Sequence, residues 1–309
     1  MLSRQRAILL PSPLQRRLEA AAAGFIHGSG SRRIDFSAPR GEAALVGPDS
    51  VAWRIFKNPV TLFIGGVAAV VLELAEPRVR SGVWEHTSFR RQPLQRLQRT
   101  GLAAMVTVYG PRSEAEAMIR RVSGMHARIR GVTADGEVYR ADDPELLDWV
   151  QATASFGFLE AYATYVAPLE TAERDRYYAE GRTAACLYGA SGAPASQQAL
   201  GRLFDAMAAR LGPSEVQSEF LGLMRALPLA PAALRPLQGL LVTAALELLP
   251  PPIRMRLGLG AAPHLNAWQR GLLVAAARSA DRVMLADAPA AMSCRRLGLP
   301  ADYLYRRRA

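Results

Sequence analysis

The sequence predicts an all-α globular protein that carries one small β-hairpin. Half of the 309 residues are apolar, which is enough to bury a substantial core and excludes a chain that is disordered throughout. Apolar residues recur at helical spacing between proline and glycine breakers along most of the chain. Alternation is limited to VTADGEVYR at 132–140, where Asp135-Gly136 is a typical hairpin turn. Many helices with a single hairpin indicate a multi-helix bundle with a globin-like helical core rather than an α/β fold.

The first strong helix prediction is the most apolar segment of the chain, residues 58–72. A helix that spans a bilayer needs about 20 apolar residues, so this shorter segment is predicted to be a buried core helix. Further along, Pro93 suits the first turn of a second helix, which Gly110-Pro111 ends.

The next helix is predicted from Ser113 to Gly131, and its second half holds the stretch VSGMHARIRG. After the hairpin, helices continue to the C-terminal region. They are read from apolar spacing and breakers and are predicted at 143–168, 171–180, 197–211, 214–226, 231–249 and 264–284.

The chain is predicted to form one large helical domain with short flanks. Residues 1–50 are an N-terminal extension that contains the flexible segment GSGSRR at 28–33. Residues 51–298 form the domain itself, within which GASGAPAS at 189–196 is a predicted linker between the core and the C-terminal helices. Residues 299–309 form a tail whose end, YLYRRRA, is expected to be solvated.

The amino-acid composition limits which partners and which cellular compartment are expected. The net charge of +11 comes from arginine, with Lys57 as the single lysine, in an alanine-rich chain typical of a GC-rich genome. No nucleic-acid-binding motif accompanies this charge, so no nucleic-acid partner is predicted. Cys186 and Cys294 stand far apart, which offers no zinc or iron–sulfur site and fits a reducing compartment. Prolines break the N-terminal apolar run, so a cytoplasmic location is expected, with docking onto a membrane surface left open.

Several common catalytic sites are excluded because their motifs are missing. The chain has no GxGxxG after a strand, no GxxxxGK[ST], no HExxH and no GxSxG. Its four histidines, His27, His86, His126 and His264, are dispersed, so a multi-histidine metal site would depend wholly on the fold. A haem site requires fewer protein ligands: one axial imidazole, an apolar slot and cations for the two propionates. Haem is therefore the cofactor that a helical protein with few histidines holds most easily.

The candidate site lies on two consecutive predicted helices. His126 and Arg130 are four residues apart, so on a helix both point from one face, as an iron ligand and a propionate partner would. On the preceding helix, Arg96, Arg99 and Thr100 share a polar face that could hold dioxygen and stabilise charge developing on it. The alternative is a satisfied structural histidine and a solvated or salt-bridged arginine face. The pattern alone leaves both interpretations open.

A series of short segments follows one another in a recognisable order. They are LAEPRVRSGVWEHTSF, RLQRT at 96–100, MHARIRG at 125–131, VYRADDPELLDWV, AYATYVAPLETAERDRYYAE and LLPPPIRMRLGL. Their order resembles that of the MpaB-type oxygenase family (DUF2236), which includes the fungal oxygenase of mycophenolic acid biosynthesis and the bacterial latex clearing proteins. The resemblance begins near Trp53 and covers about residues 50–298. Each segment is short, so the order and spacing are the specific signal.

The resemblance implies a role for each candidate residue. It implies that His126 is the proximal ligand of a b-type haem and that Arg130 matches a basic position one turn later. It also implies that Arg96 and Thr100 match the arginine and threonine of the helix on the distal side. The latex-clearing branch has a lysine at the position of Arg99. Arginine does not lose its proton, so a charge or hydrogen-bond role is implied there instead of iron ligation.

The resemblance further implies an activity, that of a haem-dependent oxygenase that uses dioxygen to attack a hydrophobic, unsaturated substrate of isoprenoid or lipid type. Peroxide as the oxidant and a non-catalytic haem or lipid carrier or sensor are the alternatives. Rubber-cleaving members use a glutamate as base, for which Glu76 and Glu85 are candidates, and the base stays unassigned. The role of His86 is open as well. No protein partner is implied.

Overall fold

A computed structural model describes residues 7–8, 11–26, 34–86, 88–228 and 235–306. It confirms a helical protein with one small antiparallel hairpin. The predicted flexible segment at 28–33 and His27 lie outside the described residues. In chain order the elements are α1 (Ser12–Ile26), α2 (Val51–Phe56), α3 (Pro59–Glu73), α4 (Pro77–His86), α5 (Pro93–Tyr109), α6 (Arg112–His126), β1 (Arg130–Val132), β2 (Val138–Arg140), α7 (Pro144–Tyr165), α8 (Thr171–Tyr188), α9 (Gln197–Ala208), α10 (Glu215–Ala226), α11 (Arg235–Leu248), α12 (Pro251–Arg256), α13 (Ala267–Arg282), α14 (Pro289–Arg296) and a 3-10 helix (Tyr303–Tyr305).

The core is organised around α3 and α7, which pack directly against each other, with α11 and α13 also lying against α3. The apolar segment predicted as a core helix forms α3, and Val71 and Leu72 in its last turns are fully buried. Asn58 begins this helix, because its side-chain oxygen accepts hydrogen bonds from the N–H groups of Val60 and Thr61 at 3.1 and 3.2 Å. The prediction of a buried core helix is confirmed.

Helices α3 and α7 approach most closely at a pair of glycines. A Cβ atom on Gly65 would lie 2.6 Å from the carbonyl oxygen of Gly157, and a Cβ on Gly157 would meet the backbone of Gly65 in the same way. Each of these contacts would be shorter than any real non-bonded carbon–oxygen contact. The spacing of the two helices therefore requires glycine at both positions. Gly66 faces a different neighbour, since a Cβ there would lie 3.8 Å from the Phe158 ring.

This difference predicts opposite effects for two adjacent substitutions. Gly65→Ala should lower the free energy of unfolding by about 1–3 kcal/mol, because the helices must move apart. Gly66→Ala should leave stability unchanged or raise it by up to about 1 kcal/mol, because alanine favours the helix and meets no clash. Urea denaturation followed by circular dichroism measures both. Equal midpoints for the two variants would contradict the close approach.

The predicted hairpin is present, and β1 pairs antiparallel with β2 so that Gly131 lies opposite Tyr139. Gly136 in the turn has a φ of 86°, a conformation that glycine adopts without strain. Tyr139 is buried, and its hydroxyl lies 3.1 Å from Nε2 of His86 at the end of α4. A Cβ on Gly131 would collide with this tyrosine ring. The inner face of the hairpin is therefore packed against α4.

Helix α6 ends earlier than predicted, at His126 rather than at Gly131. The N–H of Ile129 bonds to the carbonyl oxygen of His126 at 2.9 Å, which makes a tight turn instead of a further helical turn. Arg130 then opens β1 and is exposed to solvent. The prediction that His126 and Arg130 share one helix face is therefore wrong, because strand pairing takes over from the helix between them.

Both flanks of the domain pack onto it. Phe36 lies in the main core, and so do Leu304 and Tyr305 of the 3-10 helix, so the expectation of a solvated end is wrong for these C-terminal residues. The segment at 189–196 buries Ala190 and Ala193. Helices before and after this segment contribute side chains to the same core.

In the part of the chain that the structure describes, no helix is by itself long and apolar enough to cross a membrane. Helices α3 and α4 meet the length and composition criteria only as a pair, and they are bent by 110° at the break between them.

Candidate functional site

Three ionisable side chains from three different helices lie close enough to influence one another. Glu73 is the last residue of α3, Arg96 lies in the first turns of α5, and His126 is the last residue of α6. The Arg96 cation acts on both neighbours, because it favours the carboxylate form of Glu73 and disfavours the imidazolium form of His126. We refer to these residues as the Glu73–Arg96–His126 cluster.

His126 is held as a neutral imidazole. Burial lowers its pKa and the charge of Arg96 lowers it further, while Asp142 acts in the opposite direction. Its Nδ1 atom is buried and has no hydrogen-bond partner among the described residues. A buried polar atom without a partner costs roughly 1–3 kcal/mol, so such atoms often mark a place where something else binds. A neutral imidazole is also the form that ligates a metal.

Glu73 is the acid that sequence reasoning missed. Burial raises the pKa of its carboxyl to about 7, with the charge of Arg96 partly opposing this rise. The carboxyl therefore exchanges a proton near neutral pH, which is what a general acid or base requires. The signal in the sequence was an acidic residue that directly ends the most apolar helix, but only packing shows how far it is desolvated.

The two glutamates considered as bases from the sequence have other surroundings. Glu76 is fully buried but ion-paired, at 2.7 Å with Arg78 and at 3.3 Å with Arg210. Glu85 is exposed on α4 and lies beside Tyr139. The first has its charge compensated by two arginines and the second faces solvent, so Glu73 is the carboxyl of the cluster.

The arginine and threonine face of α5 is only partly assembled as predicted. Arg96 Nη1 donates a hydrogen bond to Thr100 Oγ1 at 2.5 Å, and Thr100 Oγ1 donates to the Arg96 carbonyl oxygen at 2.9 Å. Arg99 is exposed, but its charge is close enough to act on Arg96. His86, whose role was open, is exposed and bonded to Tyr139 on the hairpin side. Arg130 lies exposed on β1.

The first turns of α5 are less deeply buried than its last turn. No side chain from Pro93 to Met105 is buried, although four large apolar residues lie there. These half-buried residues are Leu94, Leu97, Leu102 and Met105. The last turn of the same helix is packed tightly, with Val106, Val108 and Tyr109 buried. These apolar side chains pack against the main core and each keeps part of its surface accessible, which an apolar occupant would cover.

The metal-ligand set of the site is small. In the described ranges, no group of three or more His, Cys, Asp or Glu side chains is arranged to hold a metal ion. The cluster offers one imidazole, one guanidinium and one carboxyl. Because a haem brings four nitrogen ligands of its own, a single imidazole beside apolar side chains fits that group.

Residues 53–279 match the sequence profile of a family described as ER-bound oxygenase mpaB/B′/rubber oxygenase, catalytic domain. The chain belongs to this family. The matched region includes the whole Glu73–Arg96–His126 cluster, and the resemblance read from the segment order is confirmed. This oxygenase is thus an enzyme, an oxidoreductase that acts on a small-molecule substrate with oxygen. No curated protein and no solved structure matches the chain significantly.

Proposed function

We propose that this oxygenase depends on haem b, which His126 binds through its imidazole, and that its substrate is a hydrophobic, unsaturated molecule of isoprenoid or lipid type. The observation that carries the proposal is the half-buried, neutral imidazole of His126, whose Nδ1 atom is buried without a partner, beside the half-buried apolar side chains of α5. A bound haem would supply the activation of dioxygen. The other roles proposed for the site belong to side chains of the protein.

Arg96 and Thr100 are the polar groups that we assign to electrostatic stabilisation. Their hydrogen bond fixes the guanidinium against α5, so Arg96 presents its remaining N–H groups from a preorganised position. Donors of this kind stabilise negative charge on oxygen, and their effect is larger where water is excluded. Arg99, on the same helix but exposed, adds positive charge at longer range.

Glu73 is the group that we assign to proton transfer. The carboxyl holds a proton below about pH 7 and releases it above, and the charge of Arg96 acts on both this carboxyl and the imidazole of His126. The apolar residues of α5 bind hydrophobic surface and keep water away from these groups. A glutamate that exchanges a proton near neutral pH supports an enzyme rather than a non-catalytic carrier or sensor. Membership of the oxygenase family supports the same conclusion.

Two further assignments remain proposals. We place the enzyme in a reducing, cytoplasmic compartment, because both Cys186 and Cys294 are free thiols. We keep Arg130, which is exposed on β1 rather than on a helix, as a cation for a propionate.

The purified protein, alone or reconstituted with haemin, should show a Soret band that shifts on reduction, because one axial imidazole is available. It should then consume oxygen when given terpenoids or unsaturated fatty acids, and saturated analogues of equal length should give no uptake. A colourless protein that does not take up haemin would refute the cofactor. A haem protein that consumes oxygen with none of the unsaturated compounds would refute the substrate class.

A further inference from the structure

Helix α6 changes character along the side that faces the core. On this side Ala115 and Ile119 are buried apolar residues. Ser123 follows Ile119 by four residues, and His126 follows Ser123 by three, a spacing that keeps side chains on one face of a helix. The helix is still regular here, because the N–H of Ala127 bonds to the carbonyl oxygen of Ser123 at 3.0 Å. The inward face of α6 therefore ends in two polar side chains.

Both of these side chains keep a buried polar atom without a partner. The Oγ atom of Ser123 and the Nδ1 atom of His126 are shielded from solvent, and neither has a hydrogen-bond partner among the described residues. Three threonines in other helices show the usual arrangement. Thr107, Thr153 and Thr243 donate to the carbonyl oxygen four residues earlier, at 2.9, 3.0 and 3.2 Å. The two unpaired atoms on α6 therefore require an explanation.

The two unpaired atoms are complementary in their hydrogen bonding. In a neutral imidazole one ring nitrogen carries a proton, and a hydroxyl oxygen can accept a hydrogen bond while it donates its own proton. Side chains of a helix lean towards its N-terminus, so the ring of His126 lies over the preceding turn, which contains Ser123. Residues three apart on a helix have Cβ atoms about 5–6 Å apart, so rotation of the two side chains is the movement that pairing requires.

A carboxylate is the competing acceptor for this ring. Asp142 is the acidic residue whose charge acts on the imidazole of His126. Its two carboxylate oxygens are already bonded to Arg140, at 2.9 and 2.8 Å. The hydroxyl of Ser123 has no such partner and lies on the same helix face as the ring. Ser123 is therefore the better acceptor for the His126 N–H.

We propose that Ser123 is a positioning residue for His126. When the ring binds its ligand through Nε2, Ser123 Oγ accepts a hydrogen bond from Nδ1–H and donates its own proton to the carbonyl oxygen of Ile119. Histidines that bind a metal usually donate their second ring N–H in this way, which fixes the tautomer and raises the basicity of the ligating nitrogen. Nδ1 is the enclosed nitrogen of a half-buried ring, which leaves Nε2 for the ligand. The inference rests on the proposed function, because it concerns the nitrogen that binds haem iron.

Titration of the full chain with haemin tests this, together with the iron–histidine stretching frequency of the reduced protein in resonance Raman spectra. Ser123→Ala should bind haemin about tenfold more weakly and show a lower frequency, because an imidazole without its acceptor donates less strongly to iron. Ser123→Thr keeps a hydroxyl and should restore both values. Ser155→Ala is the matched control and should behave as the native protein does. Ser155 is a half-buried serine of α7 whose hydroxyl already accepts a hydrogen bond from Gln151 at 3.3 Å.

Two results would overturn this inference and leave the proposed function intact. The first is a native protein and a Ser123→Ala variant that bind haemin equally and share one stretching frequency. The second is a lower frequency in Asp142→Asn with none in Ser123→Ala, which would make the carboxylate the partner of the ring. A native protein that shows no Soret band with haemin would instead refute the proposed cofactor, and this inference with it.

Discussion

Replacing His126 with alanine is expected to abolish the Soret band of the haem-loaded protein and, with it, oxygen uptake. The reason is that the described part of the chain places one imidazole, and no group of three or more candidate metal ligands, beside the apolar face of α5. The measurement is the absorbance ratio of the Soret band to protein after reconstitution with haemin. His126→Gly with added imidazole should recover part of the band, because the free base can occupy the space that the side chain leaves.

Two controls separate loss of the ligand from loss of the fold. His86→Ala removes an exposed histidine that is bonded to Tyr139, and it should retain the full band. His126→Ala without haem should unfold within about 1 kcal/mol of the native apoprotein, since the native ring is half-buried with an unpaired Nδ1 and contributes little to stability. An unchanged Soret band in His126→Ala would remove the basis of the proposed function.

The positions of the helices could be predicted because this chain marks them locally. Prolines stand at the first turn of α3, α5, α7 and α14, and a single long apolar run forms the central helix. The end of α6 could not be predicted in this way, because no breaker stands between His126 and Gly131. The sequence predicts Gly131 as a helix stop, whereas its physical role is to admit the Tyr139 ring against β1.

The candidate site could likewise be predicted only in part from the sequence. The scarcity of histidine directed attention to His126, and spacing of four residues correctly joined Arg96 to Thr100 on α5. The prediction for Arg130 is wrong because it requires a helix that continues past His126, where the chain instead turns into β1. Glu73 and Glu76 stand three residues apart and look alike in the sequence, yet one faces a single arginine and the other is paired with two. Desolvation and pairing are properties of packing, so no local pattern separates them.

Exchanging each of these two glutamates for glutamine is expected to move stability in opposite directions. Glu73→Gln should be more stable than the native protein above pH 7, by at most about 3 kcal/mol, because a shift of the pKa from 4.5 to about 7 is the cost of ionising a buried carboxyl. Water that reaches the Glu73 carboxyl would reduce this gain. Glu76→Gln should lose about 1–3 kcal/mol at pH 7, because Arg78 and Arg210 lose their buried carboxylate and keep only the more exposed Glu145 and Glu137.

The pH dependence identifies the cause. The folded protein holds the Glu73 proton up to about pH 7, whereas the unfolded chain releases it near 4.5, so the folded state binds more protons between these values. The contribution of the Glu73 carboxyl to the free energy of unfolding therefore falls as the pH rises from 4.5 to about 7. Outside this range the contribution does not change with pH. Glu73→Gln should lack this fall, so urea midpoints of variant and native protein should converge towards pH 4.5 and diverge towards neutrality. Parallel curves across the window would show that the Glu73 carboxyl is ordinary, and the proton-transfer role assigned to it would lose its physical support.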